Sequence, residues 1–463
     1  MRWNELLCEE RIRNTIKKNE SSDMRSEFEK DYHRIVGSAS FRRLQDKTQV
    51  FPLDKSDFIR TRLTHSLEVA SFAKSLGQYV GNKIIEKNLD GEFTSNERNN
   101  ICNILECAGL LHDIGNPPFG HFGEDLIREW FGKKLKSLEY NGKCLDEVLT
   151  EDMKSDFLCF EGNTQALRLV TKLHYLVDEH GMNLTKALLS TIIKYPVSSL
   201  GIDKKSGDVK TKKMGYYFAD KNVFEEITKS TGTGGNRHPL TFLLEAADDI
   251  AYKTADIEDA IKKGFIGYEF LLEQLKKRLS ESNRHFIEKL EIYHSRAVGN
   301  KYDEPHLYAI QNWSIYVQGK VIVAAGNSFI DNYNDIMSGN YKCDLFKGID
   351  AMEVMDLLGE IAYKKVFQSP SILKSEISAS NIIEGLLNAF VPAIINYDTE
   401  TKPTVVQDKL VKIISQNYLR NYHTYSKGKD GVEKLYLRLL LVTDFVCGMT
   451  DSYAKSLYEE LLS

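Results

Sequence analysis

The sequence predicts an all-α protein. Apolar residues recur at helical spacing in long runs broken by short polar turns, no regular alternation of strand and helix is visible, and only 9 prolines interrupt 463 residues. With 42% apolar content the chain can bury a large core, as one large or two ordinary domains. A net charge of −5 gives no sign of a general nucleic-acid binder, although a local basic groove is compatible with it. Met1–Glu5 has no apolar signal core, and no stretch reads as the roughly 18 apolar residues that span a bilayer. The expectation is a soluble, cytoplasmic protein with no membrane partner. The 7 cysteines are scattered without a CxxC pair, which favours reduced thiols over disulfides or structural zinc.

Taken in order, Phe28, Tyr32, Ile35, Val36, Ala39 and Phe41 give a helical period within 24–50, with Arg34, Arg42, Arg43 and Lys47 adding cations. Gln49 follows, where its amide can serve a turn or a ligand hydroxyl. Arg62 and His65 stand three apart at the start of the next helix, which Leu67, Val69, Ala70 and Phe72 carry into the core. Residues 84–98 read as a helix end and a surface loop. The following helix ends in the apolar run Cys107–Leu111.

There the chain turns to His112-Asp113-Ile114-Gly115-Asn116-Pro117-Pro118-Phe119-Gly120-His121-Phe122-Gly123-Glu124. Adjacent helical residues point about 100° apart, so His112 and Asp113 can share one metal only at a helix end or distortion. Gly115 and the Pro117-Pro118 pair supply that break. His121 and Glu124, three apart on the helix that restarts, can pair so that the carboxylate fixes or charges the imidazole.

Residues 131–160 read as a polar excursion, 160–169 as a helix, and Leu184–Ile193 as an apolar helix ending at Lys194-Tyr195-Pro196. The Lys- and Gly-rich stretch 198–238, which contains Lys213, reads as a flexible insertion; it has no phosphate-loop pattern. Asp248, Tyr252 and Asp256 fall at i, i+4 and i+8 on an otherwise apolar helix. Buried acids need partners, and a metal or an arginine is the economical one. Beyond 266 the chain reads as a long charged amphipathic helix over Phe270–Arg296 and further helices, with Arg438–Ala454 its least ordinary stretch.

His65, His112-Asp113 and Asp248 form the H…HD…D pattern of the HD phosphohydrolase superfamily. Four further motifs narrow the resemblance: Phe41-Arg42-Arg43-Leu44-Gln45-Asp46-Lys47-Thr48-Gln49-Val50-Phe51, Gly115-Asn116-Pro117-Pro118-Phe119-Gly120-His121, Glu245-Ala246-Ala247-Asp248-Asp249-Ile250-Ala251-Tyr252 and Gly448-Met449-Thr450-Asp451. With Arg60–Ser66 they closely resemble the deoxyguanosine triphosphate triphosphohydrolase family, from about Arg25 to Tyr453. The resemblance implies an HD helical bundle over 1–265, and over 266–463 a C-terminal helical region that completes the nucleotide site and the subunit contacts.

It also implies roles. His65, His112, Asp113 and Asp248 are the implied metal ligands, with Asp249 the rival of Asp248, for Mn²⁺, Mg²⁺ or Fe²⁺. His121 and Glu124 are the implied proton-handling pair. Arg62, Lys194 and Lys213 are candidates for the phosphates, Gln49 and Asp256 for the 3′ hydroxyl, and Tyr252 for packing under the ribose where a 2′ hydroxyl would collide. Glu376 matches a family glutamate near guanine, but Phe367 stands where some members carry a tyrosine. Tyr195 and Arg438 are further candidates, Arg438 from a neighbouring subunit. The implied reaction is dGTP, or another dNTP, plus water to deoxynucleoside plus tripolyphosphate, in a homo-oligomer such as a hexamer or tetramer. Some relatives bind single-stranded DNA, a point on which the acidic charge balance is silent. The competing readings are another HD nucleotide phosphohydrolase, such as a nucleotidase or ppGpp hydrolase, and a non-catalytic nucleotide- or nucleic-acid-binding regulator.

Overall fold

The structure is a computed structural model that describes residues 1–13, 23–51, 59–174 and 178–462. Eleven helices build the site and its supports: α1 (Glu27–Val36), α2 (Arg62–Glu86), α3 (Ser95–Leu111), α4 (Gly120–Lys134), α5 (Gly162–Arg168), α6 (Lys186–Ile192), α7 (Pro239–Lys262), α8 (Pro305–Asp331), α9 (Pro370–Ile395), α10 (Gly431–Cys447) and α11 (Asp451–Leu462). Among the described residues the only sheet is a hairpin, Glu139–Tyr140 against Lys143–Cys144, inside the excursion at 131–160.

Helix starts follow the capping chemistry of the sequence. Ser26 and Glu29 close a capping box on α1, Thr61 and Thr64 on α2, and Thr94 and Glu97 on α3, each satisfying N–H groups that the first turn leaves unpaired. α2 and α3 pack on each other, and α7 packs on α2, α3 and α8, with α8 also reaching α2. Gly109 sets how closely α2 and α3 approach: a Cβ there would fall 2.5 Å from Ala70 Cα and 2.6 Å from Ala70 N. In the C-terminal half α9 packs on α4, α10 and α11.

Three expectations need correction. The stretch 198–238 is not a flexible insertion: it holds the helix Lys221–Ser230 and buries Met214 and Tyr217 completely. Lys204, Lys205, Lys221 and Lys229 lie on its outer surface, while Met214, Tyr217, Phe224 and Ile227 enter the core. The helix expected over Phe270–Arg296 is two, Tyr268–Arg278 and Arg284–Gly299. Glu353 holds the break by accepting bonds from Ser280 N, Ser280 Oγ and Asn283 Nδ2. Finally, α9 is long and apolar enough for a membrane span, with a mean hydropathy of 1.3 over its best window. Half of that window is buried inside the protein against α4 and α10, as in the core helix of a globular fold.

Candidate active site

The capping box at Thr61 fixes the first turn of α2, so Arg62 and His65 project to one side. α3 ends at Leu111. Successive turns, Ile114 N to Leu111 O and Asn116 N to Asp113 O, then bend the chain so that His112 and Asp113 face the same space. The helix end allows the convergence that a continuous helix forbids.

His112 Nδ1–H donates to Gly109 O at 2.7 Å, which leaves the lone pair on Nε2. That nitrogen is buried and has no hydrogen-bond partner. It stands 3.4 Å from Asp248 Oδ1 and 3.5 Å from Asp113 Oδ2, while His65 Nε2 stands 3.3 Å from Asp248 Oδ1. One ligand atom each from His65, His112 and Asp113 lies within 4.8 Å of the others. Asp249 turns elsewhere, to Lys253 at 3.5 Å, so Asp248 is the acid that reaches the histidines.

Burial alone would raise both acids. Lys194, 3.1 Å from Asp248 Oδ2, is the chief group that holds Asp248 far below the usual carboxylate range; Arg62, bonded to Asp113 Oδ2, does the same for Asp113. Two carboxylates kept ionised, two imidazoles and an orphaned, correctly tautomerised nitrogen form a donor set that fits a divalent cation.

The acid–base pair lies at the start of α4. Phe119 and Gly120 both adopt left-handed backbone (φ 65° and 61°), and a Cβ on Gly120 would fall 2.3 Å from Arg62 Nη2. His121 Nδ1 is 3.2 Å from Glu124 Oε2, and Glu124 Oε1 accepts from Gly162 N at 2.8 Å. Glu124 is 1% exposed whereas the His121 ring is 74% accessible to water in the cavity. Burial would raise Glu124, but the His121 bond keeps it lowered; the same bond raises His121.

One cavity of about 510 Å³ unites these groups. His65, Asp113, His121 and Asp248 line it, with Gln49, Arg62, Lys194, Tyr195, Lys213, Tyr252 and Asp256. Gln49 Oε1 is buried without a partner, and burial together with nearby Asp259 pushes Asp256 up to about 8. Lys213 Nζ lies 2.8 Å from Glu161 Oε2. Lys212 and Asn163, which lie outside the sequence motifs, also line the cavity, as does Glu245, which opens the motif of Asp248 but carries no role in the sequence reading. Glu245 stands three before Asp248 on α7, so helical spacing could have found it.

Two expected residues are not on this wall. Phe367 lines the cavity, but Glu376, further on in α9, does not. Arg438 is 1% exposed, donates to Tyr397 O at 3.0 Å and covers the Tyr140 ring, on the far side of α10. Neither side chain lines the cavity within this chain.

Residues 62–177 match the HD domain family. Over its full length the chain is 48% identical to a deoxyguanosinetriphosphate triphosphohydrolase-like protein of Listeria monocytogenes, covering 99% of that protein. The chain belongs to the deoxyguanosinetriphosphate triphosphohydrolase family. A triphosphohydrolase-like protein of Synechocystis is 32% identical over all of this chain and 99% of its own length. The deoxyguanosinetriphosphate triphosphohydrolase of Yersinia enterocolitica is 32% identical over 94% of each chain. The family is one of metal-dependent HD hydrolases, and the cluster of His65, His112 and Asp113 is a possible metal site within its HD domain.

Proposed function

We propose that the protein hydrolyses a deoxynucleoside triphosphate, dGTP foremost, to the deoxynucleoside and tripolyphosphate. The observation that carries this reading is that His65, Asp113 and Asp248, which surround the buried Nε2 of His112, line the same cavity as His121, whose Nδ1 pairs with the buried Glu124. His65, His112, Asp113 and Asp248 would hold the metal, Mn²⁺, Mg²⁺ or Fe²⁺. When bound, it would polarise the α-phosphate and make the attacking water more acidic.

The remaining work falls to side chains of this chain. Arg62, Lys194 and Lys213 neutralise the phosphates, which would otherwise be repelled by the two carboxylates. The water oxygen bonds to the α-phosphorus while the bond to O5′ breaks. His121, whose hold on its proton is strengthened by Glu124, gives that proton to the departing O5′, and the proton shed by the attacking water passes to solvent. Gln49 offers its orphaned Oε1 to the 3′ hydroxyl, and Asp256, raised to about 8 and so protonated at neutral pH, can both donate and accept there. Tyr252, on the cavity wall, would pack under the ribose and exclude a 2′ hydroxyl, which favours deoxyribose. Tyr195 borders the nucleotide.

Phosphorus NMR of products from dGTP, dATP, dCTP, TTP and GTP tests the proposal. Tripolyphosphate from dGTP alone supports both reaction and base preference, and tripolyphosphate from several dNTPs keeps only the reaction. Orthophosphate or pyrophosphate transfers the chain to another HD phosphohydrolase chemistry, and no product favours a binding regulator.

A further inference from the structure

The motif Gly448-Met449-Thr450-Asp451 has no place in the proposed chemistry, although its carboxylate touches the loop that joins the two halves of the site. Asp451 is 2% exposed and is the first residue of α11. Its Oδ1 accepts from Phe119 N at 3.0 Å and its Oδ2 from Thr48 N at 2.9 Å. Neither donor belongs to α11, so the carboxylate is not spent on capping its own helix. Phe119 is the left-handed residue that launches α4, two before His121. Thr48 immediately precedes Gln49.

A second buried group fastens the same junction. Lys47 is 3% exposed and donates to Asn116 O at 2.5 Å and to Cys447 O at 2.7 Å. The Asn116 side chain in turn donates to Asp113 Oδ1 at 2.7 Å. The loop 113–121 is therefore anchored at Asn116 by Lys47 and at Phe119 by Asp451. The upstream anchor leads back to the metal cluster and the downstream one leads forward to His121.

We propose that Asp451 is a positioning residue: by fixing Phe119 N it sets where His121 stands relative to the His65–His112–Asp113–Asp248 cluster. The metal cluster does not depend on it, because Asp113 is held separately by Arg62 and Asn116. Asp451→Asn keeps the shape but turns an amide N–H₂ toward one of the two N–H donors and leaves the other a neutral amide oxygen in place of a carboxylate, so the Phe119 anchor is lost or weakened whichever way the amide faces. Positioning by outer groups of this kind is commonly worth about 10- to 100-fold in activity.

The test, which rests on the proposed reaction for its kinetic arm, compares wild type, Asp451→Asn, His121→Gln and the double variant. Expected for Asp451→Asn are a kcat for dGTP lower by about 10- to 100-fold, a KM within about threefold, and unchanged metal content per chain. In the double variant the Asp451→Asn loss should largely vanish, because it acts through a His121 already removed. A loss that multiplies in full onto His121→Gln, an unchanged kcat, or a loss matched by lost metal overturns the proposal. NMR titration of the His121 imidazole gives a readout without turnover. In Asp451→Asn its pKa should fall toward the ordinary value as the contact with Glu124 loosens, and an unmoved titration overturns the proposal even if wild type fails to cleave dGTP. That last failure alone would remove the reaction and leave the positioning role standing. If Asp451→Asn does not fold, Asp451→Glu, which keeps the charge one methylene too far, should show the same pattern in milder form.

Discussion

Gly109→Ala is the substitution whose consequence can be worked furthest. The new Cβ would lie 2.5 Å from Ala70 Cα, 2.6 Å from Ala70 N and 3.0 Å from Val69 C. All three are main-chain atoms of α2, which cannot rotate aside. Ordinary carbon contacts lie near 3.5–4.0 Å, so α2 and α3 must part by about 1 Å at this crossing. Overpacking of this kind costs about 1–3 kcal/mol. Alanine's better helix propensity returns about 1 kcal/mol. Because the obstacle is backbone, the expected net loss is about 2 kcal/mol. The same movement acts on the candidate metal centre: His65 sits on α2, and His112 follows Gly109 by three residues and donates to its carbonyl. Ligand distances tolerate only about 0.2 Å, so metal affinity should fall by at least about 10-fold. Urea unfolding and metal content after dialysis against buffered free metal measure the two effects. Gly132→Ala is the control, since its Cβ would meet only Leu158 Cδ2 at 3.8 Å and should be neutral or stabilising. A Gly109→Ala protein as stable as Gly132→Ala with undiminished metal affinity would refute the reasoning.

His121→Gln should lower turnover by about 10²- to 10⁴-fold while metal content stays normal. Because the Glu124 bond raises His121, wild-type kcat should persist through neutral pH and fall as pH rises through the elevated His121 value; a rate that instead rises there would contradict the proton-donor role. The linkage has the same sign: the raised imidazole adds stability that is full below its ordinary pKa and lost as pH rises through the folded value, so wild type and His121→Gln should converge in stability at alkaline pH. Arg168→Met strands Asp444, which is 2% exposed and bonded to Arg168 Nε and Nη2 at 2.8 Å, and should cost about 3–5 kcal/mol in urea unfolding, with part restored by a second change, Asp444→Leu. Tyr252→Ala should raise GTP turnover relative to dGTP by about 10-fold or more, read from the ratio of kcat/KM values; an unchanged ratio removes Tyr252 from sugar selection.

What the sequence disclosed came from local rules. The start of α2 at Arg62, the helix end at Leu111 and the shared face of Asp248, Tyr252 and Asp256 all depend on residues within two turns of each other. The choice of Asp248 over Asp249 needed the positions of His65 and His112, which lie on other helices. Segment 198–238 reads wrongly as flexible because composition counts its surface lysines and not the depth of Met214 and Tyr217. The break between Arg278 and Arg284 depends on Glu353, some 70 residues away, and no periodicity encodes that partner. Lys47 and Asp451 escape a functional reading for the same reason, because their partners are backbone groups of distant loops.

The central claim is attack by water at the α-phosphorus, with departure of O5′ as an alcohol. Turnover of dGTP in heavy-oxygen water tests it most directly, with the label located by phosphorus NMR isotope shift and by mass spectrometry of the nucleoside. Attack at phosphorus puts one labelled oxygen on a terminal phosphorus of tripolyphosphate and none in deoxyguanosine, with both products lost in Asp113→Ala. Label in the 5′ hydroxyl of deoxyguanosine, or in orthophosphate or pyrophosphate, would contradict it.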